Sequence, residues 1–473
     1  MLPKNLRYGN KVESAAAKSY RTNIQPQNGT GTYNAGDTIT LNIPTRANLV
    51  LATTESYLKF TATYTNGANI QSQRLDSCGA HGLIQRIRIW HGSNLLQDID
   101  NYGLLAKMLF DVQVSTDAIY GKYNVVSGTR ADLVLTIPTA AAGGAAANTA
   151  ADINTAIATA LTPLSAANVS ALQVNSGELI GTAIAANATN SVTYSLNLIS
   201  LIGTLCSQQY FPLFACTSAP LRAEIILVDQ PYKAYVGSDA TVGSFSISNC
   251  EYVANFIELS DAAMGMIQQS LQGAPLQFVV PDYRNFGGSY ATTNGTASQY
   301  SFPIPAKFSS LKSLFVMNRD KGVGSARFFP FSCVTNAITD YYFRVGSQIM
   351  PSKAPSNIQE QFCELLKAVG SISDLNHQPS IEKASYSQAA TAQFTTANHL
   401  TNSSGSFYIG LDLENYANSS KDSIFAGYNS NTDDIFAVLN YGSGCATTTN
   451  RLDAFALFDC VIVLESNTAY CRY

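Results

Sequence analysis

The side chains best suited to metal or nucleophilic chemistry are sparse: four histidines and nine cysteines in 473 residues. The histidines are His81, His91, His377 and His399. None forms HxH, HExxH or Hx3H, the spacings that bring two imidazoles to one ion. His91 abuts a turn, where packing or exposure accounts for it without a ligand role. The cysteines, at 78, 206, 216, 250, 333, 363, 445, 460 and 471, contain no CxxC. Their odd number and scatter argue against a zinc site and a disulfide framework, and predict mostly small, buried, reduced side chains. No GxSxG elbow presents a serine, and no GxxxxGK[ST] loop cradles a phosphate. Asp98/Asp100 and Asp433/Asp434 are paired acids of the kind common in turns. Asp412 and Glu414, in GLDLEN, read as solvent-facing strand residues. The expectation is therefore no catalytic residue, no metal and no cofactor. Charge does cluster in one place. Residues 1–28 carry Lys4, Arg7, Lys11, Lys18 and Arg21 against a single acid, Glu13. Like charges near a terminus make a local positive field, so this stretch is read as a basic arm facing anionic lipid or nucleic acid. The net charge of −4 supplies no global basic field, so specific nucleic-acid recognition is not expected.

The elements that would position any site are organised around residues 83–112. Ile87 and Ile89 alternate with Arg86 and Arg88, the period of a half-buried strand. His91-Gly92-Ser93-Asn94 reads as a tight turn, and Leu105, Met108, Leu109 and Val112 follow at i, i+3, i+4, i+7, a helical stripe. The same plan returns in residues 338–370. Tyr341, Phe343 and Val345 alternate, Gly346-Ser347-Gln348 turns, and Phe362, Leu365, Leu366 and Val369 repeat the stripe. The turns are 254 residues apart (346 − 92) and the stripes 257 (362 − 105). A near-constant offset of more than half the chain indicates two copies of one domain rather than a solenoid, whose period is about 20–50 residues.

Composition agrees with a β-rich, contact-rich protein. Charged residues are 13%, about half the usual share. A surface that poor in charge suits extensive subunit contacts. Tyr (25) and Phe (22) are plentiful, which favours strands. No signal-peptide core and no apolar run of about 18 residues is visible, which reads as a soluble protein made inside the cell.

In chain order, strands are expected over 38–43, 58–64, 194–198, 221–227 and 252–259. Residues 139–190, Ala-rich and nearly uncharged, read as a surface insertion between strands. Ser260-Asp261 opens a helix that Gly273 and Pro275 stop, and the boundary between the copies is placed there, at 260–273. Strands then follow over 276–280, 309–317, 338–345, 407–413, 434–441 and 455–465. Many short strands with turn punctuation describe β-sandwiches or jelly rolls.

The runs RIRIWHGSNLLQDIDNYGLL, FPLFACTSAPLRAEIIL, SSLKSLFVMNRD, YYFRVGSQIMPSKAP and SFYIGLDLE, over about residues 30–470, give the chain its likeness. It resembles the double jelly-roll major capsid proteins of tailless icosahedral DNA viruses, the adenovirus- and tectivirus-like lineage. The resemblance implies a mainly β fold of two tandem eight-stranded antiparallel jelly rolls with short embedded helices. The parts would be a basic arm (1–28), a first jelly roll (29–260) with an outward tower at 139–190, a linking helix (261–273) and a second jelly roll (274–473). It further implies homotrimers that imitate hexagons and tile a virion shell beside penton and minor capsid proteins, over an internal lipid membrane that would suit the arm. Two other readings compete. A non-enzymatic β-sandwich binding module, such as a lectin, adhesin or viral fibre, fits two sandwiches with aromatic loops. A bicupin enzyme needs a cluster of histidines and a carboxylate, which the sequence does not display.

Overall fold

The structure, a computed structural model, describes residues 17–29, 31–65, 74–129, 189–206, 210–236, 243–271, 273–319, 329–373, 379–389, 404–414 and 427–473. The 139–190 insertion lies outside the described residues apart from its last two, which begin a strand.

Alternation sets the strands. Leu221, Ala223, Ile225 and Leu227 are buried while Arg222, Glu224 and Ile226 between them are half-buried, the period-2 pattern of a strand with one covered face. The first lobe contains β1 (Ala17–Ile24), β2 (Tyr33–Asn34), β3 (Thr38–Ile43), β4 (Leu49–Ala52), β5 (Tyr57–Thr65), β6 (Arg74–Leu75), β7 (Ile84–His91), β8 (Asn94–Asp100), helix α1 (Tyr102–Gln113), β9 (Thr189–Leu196), β10 (Tyr210–Phe211), β11 (Leu221–Leu227), β12 (Tyr235–Val236) and β13 (Ser244–Leu259). Helix α2 (Asp261–Leu271) leads to the second lobe: β14 (Leu276–Thr292), β15 (Ser298–Ile304), β16 (Leu311–Arg319), β17 (Ile338–Val345), β18 (Gln348–Met350), helix α3 (Ile358–Val369), β19 (Tyr408–Asp412), β20 (Ile435–Tyr441), β21 (Thr448–Glu465) and β22 (Thr468–Arg472).

Sheet order identifies the architecture. In the second lobe one sheet runs β14-β21-β16-β19, with β22 added on β21, and the other runs β15-β20-β17-β18. Counting its strands from β14 as first to β21 as eighth, the layers read first-eighth-third-sixth and second-seventh-fourth-fifth, the jelly roll. The first lobe repeats that order: β1 and β2 pair β13, which pairs β5 and then β9, while β3-β11-β7-β8 forms the facing sheet. The short strands β4, β10, β6 and β12 are additions to this frame. Antiparallel register fixes the match, since Ala17 pairs Leu259 at the end of the first lobe's sheet and Leu276 pairs Leu464 at the same place in the second. A single apolar cluster from Tyr33 to Ala469 runs through both lobes.

Three expectations need correction. Ala17–Ile24, read as part of a free basic arm, is strand β1, paired along its whole length with Tyr252–Leu259. It carries no apolar alternation because it is an edge strand, mostly exposed. Asn94–Asp100, read as turn and approach to a helix, is strand β8, so each repeated unit is a hairpin followed by a helix. Cys460 and Cys471 are joined as a disulfide across the β21–β22 hairpin; of the seven other cysteines, Cys363 alone is exposed. Ser260 does act at the start of α2, accepting from the Ala263 amide at 3.3 Å. No described helix is long and apolar enough to cross a membrane.

Candidate functional site

The chemistry concentrated by this fold is a buried polar seam between the lobes. Strand β8 forms the edge of its sheet, and its polar residues meet β14 of the second lobe. Gln97, 2% exposed, donates through Nε2 to Asp282 Oδ1 at 2.8 Å and accepts the Leu201 amide at 2.7 Å. The Tyr283 amide also donates to Asp282 Oδ1, at 2.9 Å, while Oδ2 is buried without a hydrogen-bond partner. Burial dominates here and pushes the Asp282 carboxyl up to about 7, against the opposing hydrogen bonds from Gln97 and Tyr283.

Helix α1 supplies the second part. Lys107 and Asp111, one turn apart, meet at 2.5 Å on a helix whose flanking residues are apolar. Lys107 Nζ also lies within hydrogen-bond distance of the Gly405 carbonyl at 3.1 Å, Ser406 Oγ at 3.0 Å and Tyr408 Oη at 2.9 Å. Ser406 and Tyr408 in turn donate to Asp111 Oδ2 at 2.8 and 2.6 Å. The burial that would lower the lysine's pKa is outweighed chiefly by the Asp111 carboxylate, which holds the ammonium above its ordinary range. A buried charge pair held on every side by hydrogen bonds orients rather than reacts.

Asn101 begins α1 with a left-handed backbone (φ +49°). Its amide crosses the seam to Asn285 Oδ1 at 3.0 Å and Asp453 Oδ1 at 3.1 Å. Asp453 is also held by Arg319 and by Arg451. A cleft of about 350 Å³ beside this group is lined by Gln85, Asp100, Lys233, Arg319 and Arg451 among others. Its acids and bases interleave, so it presents no field of one sign.

Apolar packing closes the rest. Phe331 of the second lobe rests on Gly82 and Gly103, where a Cβ would come within 2.8 Å of its ring. Phe211 meets Phe278 edge to face at 5.9 Å. His91 is not a ligand. Its Nδ1 accepts the Ala469 amide at 3.1 Å and its Nε2 donates to the Cys216 carbonyl at 3.0 Å, which ties the β7–β8 turn to β22. His81, with its pKa lowered to about 3 by burial, is neutral and accepts from the Tyr102 hydroxyl at 2.9 Å. His377 and His399 lie outside the described residues. Among the described residues no group of three or more His, Cys, Asp and Glu side chains converges.

The structure separates the basic residues singled out from sequence. Lys4, Arg7 and Lys11 lie outside the described residues. Lys18 and Arg21 stand on β1, an odd number of positions apart and so on opposite faces, and the Arg21 guanidinium lies 5.7 Å from the Tyr57 ring centre. The paired acids are structural. Asp98 takes the Arg86 guanidinium at 2.6 and 2.5 Å, Asp434 takes Lys307 at 3.0 Å, and Asp412 accepts the Glu414 amide at 2.9 Å. Sequence reasoning missed the seam. One local signal was present: a lysine and an aspartate four apart inside GLLAKMLFDV, too apolar a setting for two solvated charges.

Two of the edge strands among the described residues bear on the seam. Strand β18, the counterpart of β8, is exposed at Gln348 and Ile349, and β1, the counterpart of β14, is exposed from Ala17 to Arg21.

The sequence matches no protein-family model and no curated protein. Solved structures match along its whole length. A chain of the PBCV-1 virus capsid aligns with a TM-score of 0.59 at 8% identity, covering 99% of this chain and 99% of that one. The Faustovirus major capsid protein aligns at 0.56 and 11% identity, covering 98% and 93%. The mavirus major capsid protein aligns at 0.55 and 12% identity, covering 100% and 93%. The chain has the double jelly-roll fold of these viral capsid chains.

Proposed function

We propose that this chain is the major capsid protein of an icosahedral virus, a structural and non-enzymatic subunit whose three copies close into a pseudo-hexagonal capsomer of the virion shell. The observation that carries the reading is the repeated strand order: two jelly rolls in one chain, joined by a seam in which the fifth-strand side of one meets the first-strand side of the other. Such a contact is heterologous, and a heterologous contact either closes into a ring or runs on as a fibre. Three chains of two lobes make a ring of six, an outline that tiles a shell. The seam's buried hydrogen bonds hold the two lobes at one angle, which a tile requires. The full-length likeness to PBCV-1, Faustovirus and mavirus capsid chains supports the same reading. Its partners are then further copies of itself, neighbouring capsomers, and the penton and minor proteins that complete a shell.

Native mass spectrometry of the purified full chain tests this. The expected species is about 152 kDa, three times 50.6 kDa. A chain that stays monomeric across micromolar concentrations refutes the capsomer reading.

The basic residues Lys4, Arg7 and Lys11 would face anionic lipid or nucleic acid beneath such a shell, each near-surface lysine or arginine contributing about 1 kcal/mol at an anionic membrane. Replacing all three by glutamine should weaken sedimentation with phosphatidylserine vesicles and leave the trimer mass unchanged. Unaltered vesicle binding would remove the membrane role.

A further inference from the structure

We propose that the cleft between the lobes is a binding site for a small monocarboxylate with an apolar body, its carboxylate held by Arg319 and Arg451. Both walls belong to one chain, so such a site does not depend on how copies assemble.

The cleft has no overall sign, but its two walls differ. Arg319, at the end of β16, and Arg451, on β21, both line it and share one carboxylate, that of Asp453. Asp453 is fully buried and also accepts from Asn101 across the seam at 3.1 Å. It cannot serve two guanidinium forks in full, since each carries five N–H groups. Arg319 is 8% exposed, and its Nε is buried without a hydrogen-bond partner. An unpaired N–H on a buried cation carries the whole cost of its desolvation, which a carboxylate oxygen at the guanidinium edge removes. Two arginines to one acid leave a surplus of one positive charge on the second lobe's wall.

The first lobe's wall sets the limit on that charge. Lys233 is taken by Asp229 at 2.5 Å, and Asp100 takes its hydrogen bond from a neutral donor, Gln85 Nε2, at 3.3 Å. A single negative charge fits the surplus opposite, whereas a phosphate dianion or a nucleic-acid backbone meets Asp100 and Asp229 as well. Shape supplies the rest. The cleft, of about 350 Å³, is at the small end of the range of about 300–1,000 Å³ for ligand clefts. Ile226 and Tyr232 of the first lobe and Pro330 and Phe331 of the second give it apolar lining. Ile226 is half-buried, on the side of β11 away from its own core. A ligand that touches both walls binds only docked lobes, so its binding raises the stability of the folded subunit.

The test uses the full chain with hydrocinnamate as probe, in isothermal titration and thermal unfolding at neutral pH and low salt. Hydrocinnamyl alcohol, the same body without the charge, and inorganic phosphate are run beside it. Hydrocinnamate is expected to saturate one site per chain with a millimolar or tighter dissociation constant and to raise the melting temperature. The alcohol should bind on the order of tenfold more weakly or worse, and so should hydrocinnamate to Arg451→Gln, which changes a partly exposed side chain and leaves Arg319 on Asp453. Ile226→Trp fills the cleft without altering its charges and should abolish binding. Near-ultraviolet circular dichroism checks the fold of both variants, and either one decides alone if the other does not fold. Equal binding of the alcohol would leave an apolar pocket and no anion site. Phosphate binding as tight as hydrocinnamate would leave an ion site and no place for a body. Wild-type affinity in the folded variants would put the probe elsewhere. Each of these outcomes overturns the proposal, as does the absence of both saturable heat and a thermal shift in the millimolar range. The capsomer reading is untouched by any of them, because it is decided by the mass of the assembled species.

Discussion

The hairpin–helix unit occurs twice, and the two copies have been put to different uses. Helix α1 buries ten of its twelve residues, with Lys107 and Asp111 reaching into the seam, whereas α3 buries three of twelve. Each helix is preceded by an asparagine. Asn357 caps α3, accepting the Glu360 amide at 2.8 Å, and Gly370 ends that helix in a left-handed turn. Asn101 makes no such cap and sends its amide across to Asn285 and Asp453. Lys107 of α1, offset by 257, corresponds to Glu364 of α3, which pairs with Lys367 at the surface at 2.5 Å. The two lobes share the sheet frame, whose order is set by strand pairing. What diverged was the side chains at the exits from the frame, according to whether a neighbouring lobe covered them.

The sharpest way to break this comparison is at Lys107. Replacing it by alanine leaves Asp111 buried without its cation, a loss of about 3–5 kcal/mol in urea unfolding, whereas Glu364→Ala should change stability by less than about 0.5 kcal/mol. Equal effects would mean the two helices are not differently loaded.

Asp282 offers the next largest contrast, because the residue at its place on β1, Asn23 (offset 259, from 276 − 17), does not titrate. The folded carboxyl releases its proton near 7 and the unfolded one near 3.8, so between those values the folded state holds a proton that the unfolded chain has lost. Stability must then fall as pH rises through that window, by on the order of a few kcal/mol, and level off above it. Unfolding curves from pH 4 to 8 should show the slope, and Asp282→Asn should flatten it.

Two helix glycines give a change of sign. Gly103→Ala in α1 should cost about 1–3 kcal/mol, since the new methyl meets the Phe331 ring and the Gly82 backbone. Gly265→Ala in α2, with nothing within 4 Å, should raise the melting temperature through a gain of about 0.5–1 kcal/mol. The smallest effect is expected at the surface cap, where Asn357→Ala costs about 1 kcal/mol at most and shows as faster amide exchange confined to the first turn of α3.

Much of the frame could be read from the chain. Strands over 38–43 and 221–227 have the bounds that alternation predicts, because each buries one face in its own lobe. The offset between the two Gly-Ser turns marked the duplication for the same reason. Strand β8 was illegible because a β-bulge at Leu96, opposite the Ile89–Trp90 step, leaves Leu96 and Gln97 buried in succession, which erases the alternation. The seam itself was out of reach. Gln97 and Asp282 are 185 residues apart and Lys107 and Tyr408 are 301, and no local pattern links residues whose contact is made by tertiary docking. Strand β1 was read as arm because an edge with both faces near water leaves no apolar period to detect.

Helix α2 has no buried residue, although it is the covalent link between the lobes. Orientation therefore comes from the docked surfaces, and the link contributes something else. By keeping the two halves together at a high effective concentration, of millimolar order for a short tether, it guarantees one of each kind per subunit. Equal stoichiometry is thus written into a single translation product instead of depending on the matched synthesis of two.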